Sequence, residues 1–234
     1  MEKQILEKLK KLNAQEKQDL FFDFISSNHH DSIQIKGKTF QSSAKVIIKA
    51  FIGLGVDVNI KNKYDESVLF FAKSKEVAEC LIQAGIDVNA KDRDGDTALF
   101  FVKTKEVAEV LIQAGIDVNA KNQLGNTPLF VIQSKDVAEV LIRNGADINA
   151  QNEYKNSPLH YQDNEKIIEL LIQSGADVYI KNHDNQTPTE FHRFYGRDNL
   201  ADFIEEKAIE FEQKKLNQTL LQSQKNSNHP LYRL

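Results

Sequence analysis

Apolar and polar positions recur along this chain at a fixed interval. A stripe of Val77, Ala78, Leu81 and Ile82 returns thirty residues later as Val107, Ala108, Leu111 and Ile112, and its equivalents continue through the copies that follow. The i, i+1, i+4, i+5 spacing places these side chains on one face of a short helix. Ser74, Thr104, Ser134 and Asn164 stand ahead of the stripes as helix caps, with Glu76, Glu106, Asp136 and Glu165 supplying negative charge in the first turn. Gly55, Gly85, Gly115, Gly145 and Gly175 follow them, positioned to end each helix in the left-handed conformation.

Ahead of each stripe lies a polar stretch such as Lys91-Asp92-Arg93-Asp94-Gly95-Asp96, which predicts a turn. Then come Thr97-Ala98-Leu99-Phe100, Thr127-Pro128-Leu129-Phe130 and Ser157-Pro158-Leu159-His160. Thr or Ser there predicts the cap of a first short helix, and proline after it suits the first helical position. One unit is therefore turn, short helix, short helix, glycine stop. The copies span residues 61–90, 91–120, 121–150 and 151–180, with a half copy at 41–60 and a variant at 181–206. Such a period predicts a stacked array in which each unit buries its apolar face against its neighbours.

The ends read differently. Ile5, Leu6, Leu9 and Leu12 share one face, and Asn13-Ala14-Gln15-Glu16 reads as a cap before a second helix bearing Leu20, Phe21, Phe24 and Ile25. Residues 1–40 are thus expected to form a helical amino-terminal cap, with 27–44 polar and irregular. Gly37-Lys38-Thr39 looks like the end of a phosphate-binding loop, but Ser32 stands where that loop needs glycine. From Leu200 to about Gln222 a long charged helix is expected, with Phe203, Ile204, Ala208, Ile209 and Leu216 inward. The array is expected to end near residue 206, and 207–234 to hold the rest of that helix and a mobile polar tail from Ser223.

Composition narrows the activity. The chain has 234 residues, 41% hydrophobic and 27% charged, with a net charge of −4. That balance suits a folded domain and lacks the clustered Lys and Arg that neutralise phosphates, so nucleic acid is not an expected partner. No apolar run approaches a membrane span, and the amino terminus has no continuous apolar core of a signal peptide. Cys80 is the single cysteine and occupies a slot filled by Val110, Val140 and Leu170 in later copies, so it reads as a small buried side chain. One thiol fits a reducing compartment, the cytoplasm by default, although a carboxyl-terminal secretion signal would escape this reading.

The phrase Thr127-Pro128-Leu129 followed by Gly145-Ala146-Asp147-Ile148-Asn149-Ala150 resembles the ankyrin repeat, a β-turn plus two antiparallel helices usually of 33 residues. The resemblance covers roughly residues 41–206. It implies an all-α solenoid of stacked helix-turn-helix units with hairpin-like turn loops and helical caps at both ends. Four copies lack three residues between the helices, which predicts a tighter loop and a shortened first helix. In the last copy Gly196 restores the full-length loop. The family's histidine in Thr-Pro-Leu-His survives as His160, with Phe70, Phe100 and Phe130 in its place elsewhere. Asp65, Lys155 and Asn185 stand where Gly95 and Gly125 serve the turn.

The chemistry of a reaction centre is missing from the pattern. The six histidines, His29, His30, His160, His183, His192 and His229, are scattered, and no ligand spacing suggests a metal or a cofactor. The recurring Asp-Val-Asn is read as turn structure. Its spacing from Leu81, Leu111 and Leu141 also resembles a site modified by a host asparaginyl hydroxylase, though it is simply the repeat consensus. The resemblance implies a non-enzymatic, monomeric module that binds another protein through a concave face of turn tips and first helices. Variation among copies nominates Lys63, Tyr64 and Glu66; Arg93, Asp94 and Asp96; Gln123, Leu124 and Asn126; Glu153, Tyr154 and Asn156; and His183, Asp184 and Gln186. An inhibitor or immunity protein for a toxin is the specific form expected, with a microbial effector acting on a host protein as the alternative.

Overall fold

In a computed structural model of the chain, residues 2–27 and 32–227 are described, and the first of them form helices α1 (Glu2–Leu9) and α2 (Ala14–Ser26). Asn13 opens α2 with a capping box: its Oδ1 accepts the Glu16 N–H at 2.9 Å, and the Glu16 carboxylate accepts the Asn13 N–H at 2.8 Å. Ile5, Leu9, Leu12, Phe21, Phe24 and Ile25 are buried, while Leu6 and Leu20 are half-buried. The stretch expected to be irregular instead contains an antiparallel hairpin, β1 (Ser32–Ile35) and β2 (Lys38–Gln41). Ile33 and Ile35 alternate inward, and Lys36 and Gly37 adopt φ of 47° and 78°, as a two-residue hairpin turn requires. His29, His30 and His229 lie outside the described residues.

The chain divides into two compact units, Met1–Asp147 and Ile148–Leu234. In the first, α3 (Ala44–Gly53), α4 (Lys75–Gln83), α5 (Lys105–Gln113) and α6 (Lys135–Arg143) pack side by side in sequence order. Val77, Ala78 and Leu81 and their equivalents are buried as the stripe predicts. The Cys80 slot is buried as its apolar equivalents predict, with Val110 and Val140 buried in turn, whereas Ile82, Ile112 and Ile142, expected on the inner face, are half-buried. A helix sandwiched between two others covers residues on both sides of its stripe. Burial pushes the Cys80 thiol above its ordinary pKa, which fits a side chain that packs and does not react.

The first helix of the copies spanning 61–150 is shortened, as the missing residues predict, to a single 3₁₀ turn at Val68–Phe71, Ala98–Phe100 and Pro128–Phe130. Ser67, with φ of −71°, caps its turn through the Leu69 N–H at 3.3 Å. Thr97 and Thr127 make no side-chain cap bond, and their buried hydroxyls find no partner among the described residues. Stacking is secured instead by an asparagine ladder. The Asn89 Oδ1 accepts the Asp117 N–H at 2.9 Å while its Nδ2 donates to the Gly115 carbonyl at 3.1 Å. Asn119 repeats this with Asp147 and Gly145 at 2.8 and 2.9 Å, as Asn59 does with Asp87 and Gly85. Asp-Val-Asn is thus the joint between successive units, each Asp also bonding the N–H two residues on. Lys61 and Lys91 add bonds to the carbonyls of Lys91 and Lys121, both at 2.8 Å.

The second unit holds α7 (Pro158–Tyr161), α8 (Glu165–Gln173), α9 (Pro188–Phe194) and α10 (Asp198–Ser227). The restored residues let α9 run seven residues under a Thr187–Glu190 capping box, and the chain leaves it through Gly196 at φ 70°. Ala201 and Ile204 of α10 are buried against α8 and α9, and Arg193 meets Glu205 and Asp202 at 2.8 and 2.9 Å. Ile209 and Leu216, expected inward, are 58% and 59% exposed, and the helix runs past Gln222 to Ser227. A nine-residue α8 spans less than a third of a thirty-residue helix, so only the first turns of α10 are covered. Among the described residues no helix is long and apolar enough to cross a membrane.

Candidate functional site

The turn of every unit is built around one Asn or Asp that the sequence pattern left unremarked. The Asn62 Oδ1 accepts the N–H groups of Tyr64 and Glu66 at 2.8 and 3.1 Å. Asp92, Asn122, Asn152 and Asn182 hold their own turns in the same way, with distances of 2.9–3.0 Å. This side chain mimics a backbone turn and fixes the two residues between its bonds as a projecting tip. Its recurrence at the second turn position of each copy was the signal available in the sequence.

Successive tips are laced together within each unit. In the first, the Arg93 N–H donates to the Tyr64 carbonyl at 3.2 Å and the Gln123 N–H to the Asp94 carbonyl at 2.8 Å. In the second, the His183 N–H donates to the Tyr154 carbonyl at 3.0 Å. Lys63, Tyr64, Arg93, Asp94, Gln123 and Leu124 therefore stand side by side and exposed, as do Glu153, Tyr154, His183 and Asp184. Tyr64, Leu124 and Tyr154 are 53%, 50% and 54% exposed, the apolar prominences of these rows. The Lys63 ammonium lies 4.9 Å from the Tyr64 ring centre, and Arg93 pairs with Asp65 at 3.3 Å.

The last position of each nominated trio does not belong to this surface. Asn126 and Asn156 are buried, at 6% and 5% exposure, and Glu66, Asp96 and Gln186 are half-buried. Asp96 and Asn156 face the neighbouring turn, where Asn122 Nδ2 donates to Asp96 Oδ1 at 2.8 Å and Asn182 Nδ2 to Asn156 Oδ1 at 2.9 Å, while Glu66 and Gln186 accept from Asn62 and Asn182 of their own turns. Variation among copies marked these positions as free, but any acceptor serves there. Burial, with Asp92 and Asp94 nearby, raises the Asp96 pKa against the pull of the Asn122 bond.

The histidine slot behaves as part of the framework. His160 is fully buried, its Nδ1 accepts the Ser157 N–H at 3.0 Å, and its Nε2 lies 3.1 Å from the Gln186 carbonyl. A carbonyl only accepts, so Nε2 carries the proton. His192 reaches the Leu159 carbonyl through Nε2 at 3.2 Å. Burial lowers both pKa values, that of His160 to about 4. Among the described residues no three His, Cys, Asp or Glu side chains gather into a metal site. The structure also exposes apolar groups that variation in the turns did not reveal, among them Phe101 and Val131 beyond the first helical turns and Tyr179, Phe194 and Tyr195 in the second unit.

A family model described as ankyrin repeats in three copies matches residues 40–122 and 101–182. No curated protein matches the chain.

Proposed function

The chain belongs to the ankyrin-repeat family, whose arrays generally bind other proteins without catalysing a reaction, and from that premise we propose that its turn tips grip one folded protein partner. The observation that carries this reading is the pair of conditions met at Tyr64, Leu124 and Tyr154. Their side chains are half exposed, while their backbone is held by an Asn Oδ1 at 2.8–3.0 Å. A contact residue already held in place loses little conformational freedom on binding, and tyrosine is enriched among the residues that dominate interface energies. Flanking Lys63, Arg93, Asp94, Glu153 and Asp184 supply a charged rim of both signs. Where the partner is an enzyme, these turn tips would cover its active site, as an immunity protein covers its toxin.

The test is affinity capture from native lysate with the full chain, with Tyr64→Ala/Leu124→Ala and with Tyr154→Ala as baits, each checked for unchanged circular dichroism. At least one protein retained by the parent chain should bind tenfold or more weakly to a substituted bait, a loss of about 1.4 kcal/mol or more. Retention of every captured protein at parental affinity would sink the reading.

A further inference from the structure

The first 3₁₀ turn of the array carries a helix, and the next two present a similar surface without one among the described residues. On the first, α2 packs against Val68–Phe71, with the Phe22 ring edge-on to Phe71 at 5.5 Å between ring centres. The ammonium of Lys73 lies 3.5 Å from the carbonyl of Ser26, the last residue of α2, where a cation meets the negative end of the helix dipole. α2 sets Glu16, Asp19 and Asp23 against the single cation Lys17, so an acidic amphipathic helix ends beside a lysine. Thirty residues on, Phe101 takes the position of Phe71 and Lys103 that of Lys73; Val131 takes the position after that. Phe71 is half-buried, whereas Phe101 and Val131 are 42% and 39% exposed. With Phe70, Val107 and Ile132 they line a groove of about 590 Å³, and Phe70 stacks on Phe101 at 5.3 Å to hold its ring in place.

We propose that this groove receives an acidic, amphipathic α-helix of the partner protein, with an aromatic side chain seated beside Phe101 and the helix C-terminus at Lys103. The docking repeats what α2 does on the preceding turn. It rests on the reading of the array as a protein-binding scaffold but uses a surface separate from the turn tips.

The probe is a fluorescent, C-terminally amidated peptide of residues 13–27, titrated onto the full chain by polarisation and mapped by amide chemical shifts. Saturable binding is expected, with shifts centred on Phe101–Thr104 and Val131–Gln133. Phe101→Glu or Lys103→Glu in the chain, and Phe22→Ala in the peptide, should each weaken it at least tenfold, while Tyr64→Ala leaves it unchanged. Both chain positions are exposed, and Lys103→Glu alters only a charge at the rim, so the pair keeps the test independent of folding. Three outcomes would overturn the proposal: no saturable binding, binding indifferent to both chain substitutions, or shifts confined to the surface that α2 already covers. A dimer of the chain that the peptide dissociates would also overturn it, by giving the groove to a second copy. None of these bears on the turn tips, whose own test runs through Tyr64, Leu124 and Tyr154.

Discussion

Lowering the pH from 7.5 to 4.5 is expected to destabilise the fold through His160, and His160→Phe to flatten that dependence. The imidazole is held neutral: its Nδ1 accepts the Ser157 N–H at 3.0 Å and its Nε2–H faces the Gln186 carbonyl at 3.1 Å. A second proton on Nδ1 would displace the Ser157 N–H and find only the Ser157 Oγ, at 2.9 Å, to accept it inside a fully buried site. Burial accordingly pushes the pKa down from 6.5 to about 4. The sign follows from linkage. Below the unfolded value the unfolded chain takes up the proton that the folded chain refuses, so the full stability is present above about pH 6.5. It is lost at about 1.4 kcal/mol per unit as pH falls toward the folded value, roughly 3 kcal/mol in all. Phenylalanine is the residue that this chain itself places in the slot, at Phe70, Phe100 and Phe130. Urea unfolding of both proteins across this range cancels contributions they share, including that of His192; equal pH slopes would contradict the assignment.

Gly95→Ala is expected to cost about 3 kcal/mol and Gly115→Ala about 1 kcal/mol, because the two glycines share a left-handed backbone but differ in what surrounds them. At Gly95, with φ of +81°, an added Cβ would lie 3.0 Å from the Gln123 backbone nitrogen and 3.2 Å from the Asn122 Cα. That nitrogen is the donor of the 2.8 Å bond to Asp94 that laces two tips together. At Gly115, with φ of +88°, the Cβ would meet nothing within 4 Å, so only the conformational term remains. The copies support the distinction. Where Asp65 and Lys155 replace the turn glycine, at φ of 63° and 55°, the corresponding lacing bonds lengthen to 3.2 and 3.0 Å. Thermal or urea unfolding of the two variants side by side measures the difference, and equal losses would show that the close approach of Gln123 carries no energy.

Much of the framework was legible because each unit repeats a strong local signal. The stripes of α4, α5 and α6 have helical period, a capping residue before them and a glycine after them, and all three agree. The hairpin at Ser32–Gln41 was not, since four-residue strands offer only Ile33 and Ile35 as alternation and the Lys36-Gly37 turn is easily passed over. Ile209 and Leu216 show the limit of periodicity, which identifies the apolar face of α10 but not whether another element reaches it. The turn site was half legible for a related reason. Variation among copies found Tyr64, Leu124 and Tyr154 correctly as exposed, yet it also selected Asn126 and Asn156, which are buried, the Asn156 side chain accepting a bond from Asn182 of the next turn. Variation reports tolerance, and an acceptor facing the next turn tolerates as much change as one facing water.

The most direct measurement is hydroxyl-radical footprinting of the chain free and bound to its captured partner, read by mass spectrometry at single side chains. Tyr64, Leu124 and Tyr154 are half exposed and reactive in the free chain, so their oxidation is expected to fall several-fold in the complex, while Tyr179, 75% exposed outside the tips, stays unchanged. Undiminished oxidation at all three, with protection falling elsewhere, would contradict binding through the turn tips.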